Sequence, residues 1–266
     1  MESPAGRGGV TEALALRPIV FLPLLVGAGL YLRGWSHLVR RAPGLARDRH
    51  LLCVLAGLLA IGIALSPGVD AAAHREFSAH MVQHLLLVLV APPLCVLGAP
   101  VPITLWGLPR AVRRLVPRVL AAGTLGRRLL RAFTAMPVAW TIHVLVVWLW
   151  HVPALYEAAL ASALLHDLEH ITLFVTGVLF WWPIVEPAPR LHPARPLWSR
   201  IVYLVVAGVQ SSALGLGLVL SPVALYPSYG VLDDQVWGGL LMWTIGSTVD
   251  MLALLVVIGR FLGRVP

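Results

Sequence analysis

Two pairs of histidines spaced four apart, His80 with His84 and His166 with His170, are the residues in this sequence best placed to do chemistry. Residues four apart share one face of a helix, so each pair can aim two imidazoles at a common point. Imidazole ligates copper, zinc, iron and nickel, and a thioether beside it, as at Met81, selects for Cu(I). His74 precedes the first pair in "HREFSAHMVQHLLLVLVAPP", and His151 stands in "VVWLWHVPALYEAAL". Asp167 and Glu169 flank the second pair in "LLHDLEHITLF", where carboxylates can orient ligating imidazoles. The candidate ligands of a metal site are therefore His74, His80, Met81, His84, His151, His166 and His170. The competing reading is a set of interfacial polar residues that cap helices and reach toward lipid headgroups. The sequence carries no P-loop, HExxH, GxSxG or dinucleotide fingerprint, so conventional catalysis is not expected.

The elements that must hold these side chains read as membrane helices. The chain has 266 residues, of which 59% are hydrophobic and only 12% charged, and its mean hydropathy is +0.85. Soluble domains carry about 25% charged residues, so the expected solvent is a lipid bilayer. Seven apolar stretches can be drawn, over 18–32, 51–66, 81–106, 133–151, 168–185, 201–220 and 236–262. The expected fold class is all-α: one polytopic membrane helix bundle spanning 1–266, with about seven transmembrane helices. Pro92, Pro93, Pro100 and Pro102 fall in the third stretch, and a kink or break is expected near Pro92.

Charge placement orients the bundle. The net charge is +8, and all 20 basic residues are arginine. They gather at 33–49, 110–131, 190–200 and 260–264, whereas the opposite side has only Arg7, Arg17 and Arg75. The positive-inside rule puts the N-terminus outside and the C-terminus in the cytoplasm, which needs an odd number of spans. Topology thus accounts for a pI of about 10.7, and no nucleic-acid partner is expected. The first stretch reads as an N-out anchor rather than a cleaved signal. The arginine-rich segment 107–132 reads as a solvated topology determinant, with an interfacial amphipathic helix as the alternative. Cys53 and Cys95 read as buried, inert thiols.

With this topology the histidines sort by side. His37, His50 and His192 fall in cytoplasmic loops. His74, His80, His84, His151, His166 and His170 gather at the outer face, and His143 lies about 12 Å deeper than His151 at the helical rise. Asp250, inside the last stretch, is either a proton-handling group or a partner for Thr248, Ser211 or Gln210. Met242 and Met251 read as packing residues, and Asp233 and Asp234 as solvated carboxylates. Tyr226, Tyr229, Trp237, Trp148 and Trp150 fit an interfacial aromatic belt.

Three blocks resemble a known family. "SAHMVQHLLLVLVAPPLCVLGAP" is similar to the signature segment of the CtaG family of cytochrome c oxidase assembly factors. "WLWHVPALYEAALASALLHDLEHITLFVTGVLFWWPI" and "LYPSYGVLDDQVWGGLLMW" resemble its two later blocks, in the same order. The resemblance covers about residues 74–250, and His80, Met81, Gln83, His84, His151, His166 and His170 stand on its matching positions. It implies a multi-pass protein of a bacterial plasma membrane that helps mature a caa-type oxidase, with oxidase subunits as partners and copper handled on the outer side. Some relatives are joined to copper-transport domains, which supports copper indirectly. The ligand set itself rests on the spacing.

Two alternatives stay open. A haem-binding electron carrier could take axial histidines from two helices, although i,i+4 pairs at a membrane edge suit it poorly. A copper transporter would need a polar path through the bilayer, for which His143 and Asp250 are the candidates.

Overall fold

The computed structural model describes residues 18–263, so Arg7, Arg17 and Arg264 lie outside the described residues. Helices account for all the regular structure among the described residues. In chain order they are α1 (Pro18–Arg41), α2 (Asp48–Ala64), α3 (Pro67–Ala73), α4 (Phe77–Leu97), α5 (Pro100–Gly107) and α6 (Arg110–Val119). There follow α7 (Leu125–Phe133), α8 (Met136–Trp150), α9 (Pro153–Ala161), α10 (Ala163–Val185), α11 (Leu197–Leu220) and α12 (Leu232–Leu262).

Four helices, α4, α10, α11 and α12, are long and apolar enough to cross a membrane. Two bent pairs, α2 with α3 at 51° and α7 with α8 at 64°, raise the number to six if each pair counts as one span. The seven expected spans therefore become four to six among the described residues, with α1 over the first expected stretch standing outside that count. His37 and His50 fall inside α1 and α2, not in loops.

The third expected stretch is distorted close to Pro92 but does not end there. The helix runs on through Pro92 and Pro93, because a π-helical turn over Leu86–Val90 widens it just before the two residues that cannot donate. The break comes later, at Ala99, which adopts a left-handed φ of 50° and starts α5 in a new direction. Gly177 of α10 faces this segment; a Cβ there would lie 2.8 Å from the Pro92 ring and 3.1 Å from the Val88 carbonyl. That carbonyl is the one whose α-helical donor Pro92 removes, so the glycine lets α10 close over the weakened turn.

The segment 107–132 forms two short amphipathic helices, α6 and α7, with no buried residue on either. Arginines take one face, while Val112, Leu115, Val119, Leu125, Leu129 and Phe133 stay exposed on the other. This pattern fits the interfacial alternative better than a solvated loop, and Arg113 stacks over Trp106 at 4.5 Å.

α11 and α12 approach closely where a Cβ on Gly215 would lie 2.9 Å from the Gly239 carbonyl, and one on Gly239 would lie 2.8 Å from the Gly215 carbonyl. Such contact between backbones is how small residues join helices in lipid. The pair is fixed against α4 through Gly238, whose α-carbon faces Phe77 and Met81. Cys53 and Cys95 are free thiols, but half-buried rather than fully enclosed.

Candidate metal centre

α4 and α10 run parallel and α8 runs against them, so the N-termini of α4 and α10 and the C-terminus of α8 meet at one end of the bundle. The start of α4 is pinned by a distant carboxylate: Asp234, in the first turn of α12, accepts from Phe77 N at 2.5 Å and Ser78 N at 3.1 Å. It thus supplies the cap that Glu76 does not. Asp234 is therefore a structural cap rather than a solvated carboxylate, whereas Asp233 is exposed. Tyr226 and Trp150 also leave the expected aromatic belt. Tyr226 is buried and stacks on Phe77 at 4.9 Å, and Trp150 donates to Thr172 at 2.9 Å. Trp237 stays 64% exposed, as a belt residue would.

On this frame six histidines form one continuous cluster. Ring centroids lie 5.1 Å apart for His74 and His166, 5.2 Å for His166 and His80, and 4.3 Å for His80 and His84. His84 in turn lies 5.6 Å from His170 and 6.3 Å from His151. His80, His84, His151, His166 and His170 are all buried, whereas the His74 side chain is 44% exposed. Two groups have donor atoms all within 4.8 Å of one another: His80, His84 and His170, and His80, His166 and Glu169.

Met81 takes another direction. It is fully buried among Phe77, Tyr156, Leu214, Leu218, Tyr226 and Met242, one residue round the helix from the histidine face. It packs in the core beside the cluster and also lines, with His84 and His151, the cavity beneath the cluster. Gln83 ties α4 to the end of α2, donating to the Ala64 carbonyl at 2.7 Å.

Hydrogen bonds set the imidazole tautomers. Tyr229 donates its hydroxyl proton to the Ala73 carbonyl at 2.6 Å. Its oxygen must then accept from His80 Nδ1, 2.9 Å away, which leaves His80 Nε2 as a bare lone pair. His151 donates from Nδ1 to the Val147 carbonyl at 2.7 Å, and its buried Nε2 has no hydrogen-bond partner. An imidazole anchored at one nitrogen with the other left open is the usual form of a metal-binding histidine. His80 Nε2 and His84 Nε2 face each other at 2.8 Å, a separation that demands a proton or a cation between them. Two nitrogens sharing a tetrahedral ion would sit about 3.3 Å apart, within small side-chain adjustments of this arrangement.

Glu169 completes the site. It is fully buried, with Oε1 3.5 Å from His84 Nε2 and Oε2 3.9 Å from His80 Nε2. Neither oxygen accepts a hydrogen bond. An ionised carboxylate so enclosed is costly unless a cation sits against it. Sequence reasoning gave Glu169 only an orienting part and missed Tyr229 as the anchor of His80. The one signal for Glu169 was its position between the paired histidines; nothing local marks Tyr229.

Below the cluster lies a cavity of about 60 Å³, lined on one side by His84 and His151 and on the other by His143, Gln210, Ser211 and Asp250. His143 Nδ1 lies 3.4 Å from the Thr176 hydroxyl. His143 therefore stands beneath the cluster and apart from it, as its depth in the sequence implied.

This is a buried imidazole–carboxylate cluster at one end of an apolar helical bundle, with donor atoms close enough together that they could hold a metal ion. A family model for the cytochrome c oxidase caa3 assembly factor (Caa3_CtaG) matches residues 29–264, and the chain belongs to that family. It is 27% identical over 233 residues to uncharacterized proteins of Mycobacterium bovis and Mycobacterium tuberculosis, covering 81% of this chain and 34% of each of those proteins. An uncharacterized protein of Mycobacterium leprae is 27% identical over 251 residues, covering 88% of this chain and 37% of the relative. The chain thus spans about a third of the length of these curated relatives. No solved structure matches it.

Proposed function

We propose that this chain is a multi-pass protein of a bacterial plasma membrane that binds a copper ion as cargo at the histidine cluster and delivers it to a subunit of cytochrome c oxidase. The ion would be held at the extracytoplasmic face, with the arginine-rich ends in the cytoplasm. In this topology α1 adds a seventh span to the six others, with the N-terminus outside. The protein acts as an assembly factor and not as an enzyme.

The observation that carries this reading is the enclosure of Glu169 among imidazoles, with an open nitrogen on His151, His80 Nε2 facing only His84 Nε2, and no hydrogen-bond donor to the carboxylate. An ionised carboxylate in such a cavity calls for a cation beside it; imidazole suits copper, zinc, iron and nickel alike, and copper is taken among them because the chain belongs to a family of cytochrome c oxidase assembly factors. The test is the copper content of protein purified from the membrane, wild type against His80→Ala/His84→Ala. The reading expects copper in the wild type and its loss in the variant; equal, near-zero copper in both overturns it.

Transport is the second reading, favoured by the cavity that runs from His84 and His151 toward His143 and Asp250. Copper flux in proteoliposomes would support it over delivery at one face. The close packing of the rings, 4.3 to 6.3 Å between centroids, counts against a haem between them.

A further inference from the structure

The cluster contains two donor groups, not one, and both use His80. The first, with His166 and Glu169, adjoins His74, whose side chain is 44% exposed. The second, with His84 and His170, adjoins His151 and opens onto the cavity. His80 cannot serve both groups at once. Its Nδ1 proton is committed to Tyr229, which is itself held by the Ala73 carbonyl, so a single lone pair on Nε2 remains. The rings also form an ordered line, His74, His166, His80, His84 and then His151, with neighbouring centroids 4.3 to 6.3 Å apart; its His74 end is exposed, and its His84 and His151 end borders the cavity.

We propose that the two groups are successive stations for one ion, a loading station of His74, His166 and Glu169 and a retention station of His84, His170 and His151, with His80 as the ligand common to both. The Glu169 carboxylate spans the two, its oxygens lying 3.9 Å from His80 Nε2 and 3.5 Å from His84 Nε2. Its charge compensates the ion at either station, so the ion can move inward without leaving its counter-charge. At no point is His80 released; it trades His166 for His84 as its companion ligand. No bond in the protein is made or broken, and no electron moves. The inference rests on the metal-binding reading above and adds an order to it.

The order separates rate from affinity. Copper is supplied as Cu(I) bound to bicinchoninate, and its transfer to detergent-solubilised full-length protein is followed by the loss of chelate colour. The wild type takes up one ion per chain. His166→Asn slows loading by about ten-fold or more while the equilibrium affinity holds; His170→Asn weakens affinity by a similar factor with the loading rate little changed. Circular dichroism checks that both variants fold. Two ions per chain in the wild type, or His166→Asn loading as fast as wild type, overturns the two-station order while leaving copper binding intact. A wild type that binds no Cu(I) overturns copper binding itself, and the order with it.

Discussion

The Tyr229 hydroxyl lies 2.9 Å from Nδ1 of His80, and its own proton goes to the Ala73 carbonyl at 2.6 Å. This relay fixes which nitrogen of His80 faces the cluster. Burial raises the Tyr229 phenol well above its usual range, so it remains a neutral donor throughout physiological pH.

Tyr229→Phe removes the anchor but keeps the ring against Phe77. Copper affinity should fall by about 10- to 100-fold, the usual effect of losing a partner that orients a ligand. A Cu(I) competition titration checks this, with circular dichroism expected to stay unchanged. An affinity equal to wild type removes Tyr229 from the site.

Glu169→Gln keeps the shape and removes the charge. The metal-free protein should be at least as stable as wild type, because an enclosed carboxylate without donors is a burden in the absence of a cation. The rise in Tm on adding copper should shrink. A fall in metal-free Tm would mean that the carboxylate is satisfied by the protein alone.

Asp234→Ala leaves two amide donors at the start of α4 without their acceptor. A lost helix cap costs about 1 kcal/mol, and hydrogen exchange should rise at Phe77 and Ser78. Because His80 begins one turn later, copper affinity should weaken as well. Unchanged exchange at both amides would contradict the capping role.

At the arginine-rich end, burial first, then Arg195 and Arg131, lower the pKa of His192 below its usual value, with Glu186 opposing them. The unfolded imidazole therefore binds a proton that the folded one refuses, and stability drops as pH falls below about 6.5. His192 Nε2 bonds Thr134 Oγ1 at 2.9 Å. The wild type should lose Tm faster than His192→Gln between about pH 7 and about pH 5. Parallel curves would show that His192 does not contribute.

The helical bundle and the gathering of histidines at one end were legible in the sequence, because apolar length and i,i+4 spacing are local signals. His80, His84, His166 and His170 meet as their spacing implied. Local pattern failed where a long-range partner decides. Asp234 looks solvated until α12 meets α4, and Tyr229 looks like a belt residue until its loop folds over His80. Met81 shares a short window with the histidines, yet one residue along a helix is a turn of about 100°, and that carries it into the core. Pro92 and Pro93 signalled a distortion, and a π-helical turn lies directly ahead of them; the break itself comes later, at Ala99.

The central claim is that imidazoles of the buried cluster hold copper. Copper X-ray absorption on the copper-loaded protein tests it most directly, because the spectrum reports the atoms bound to the ion. The wild type should show nitrogen or oxygen neighbours at about 2 Å with the outer-shell pattern of imidazole. His80→Ala/His84→Ala should lose both the signal and the metal. A sulfur-dominated shell in the wild type, or an unchanged spectrum in the variant, would contradict the account.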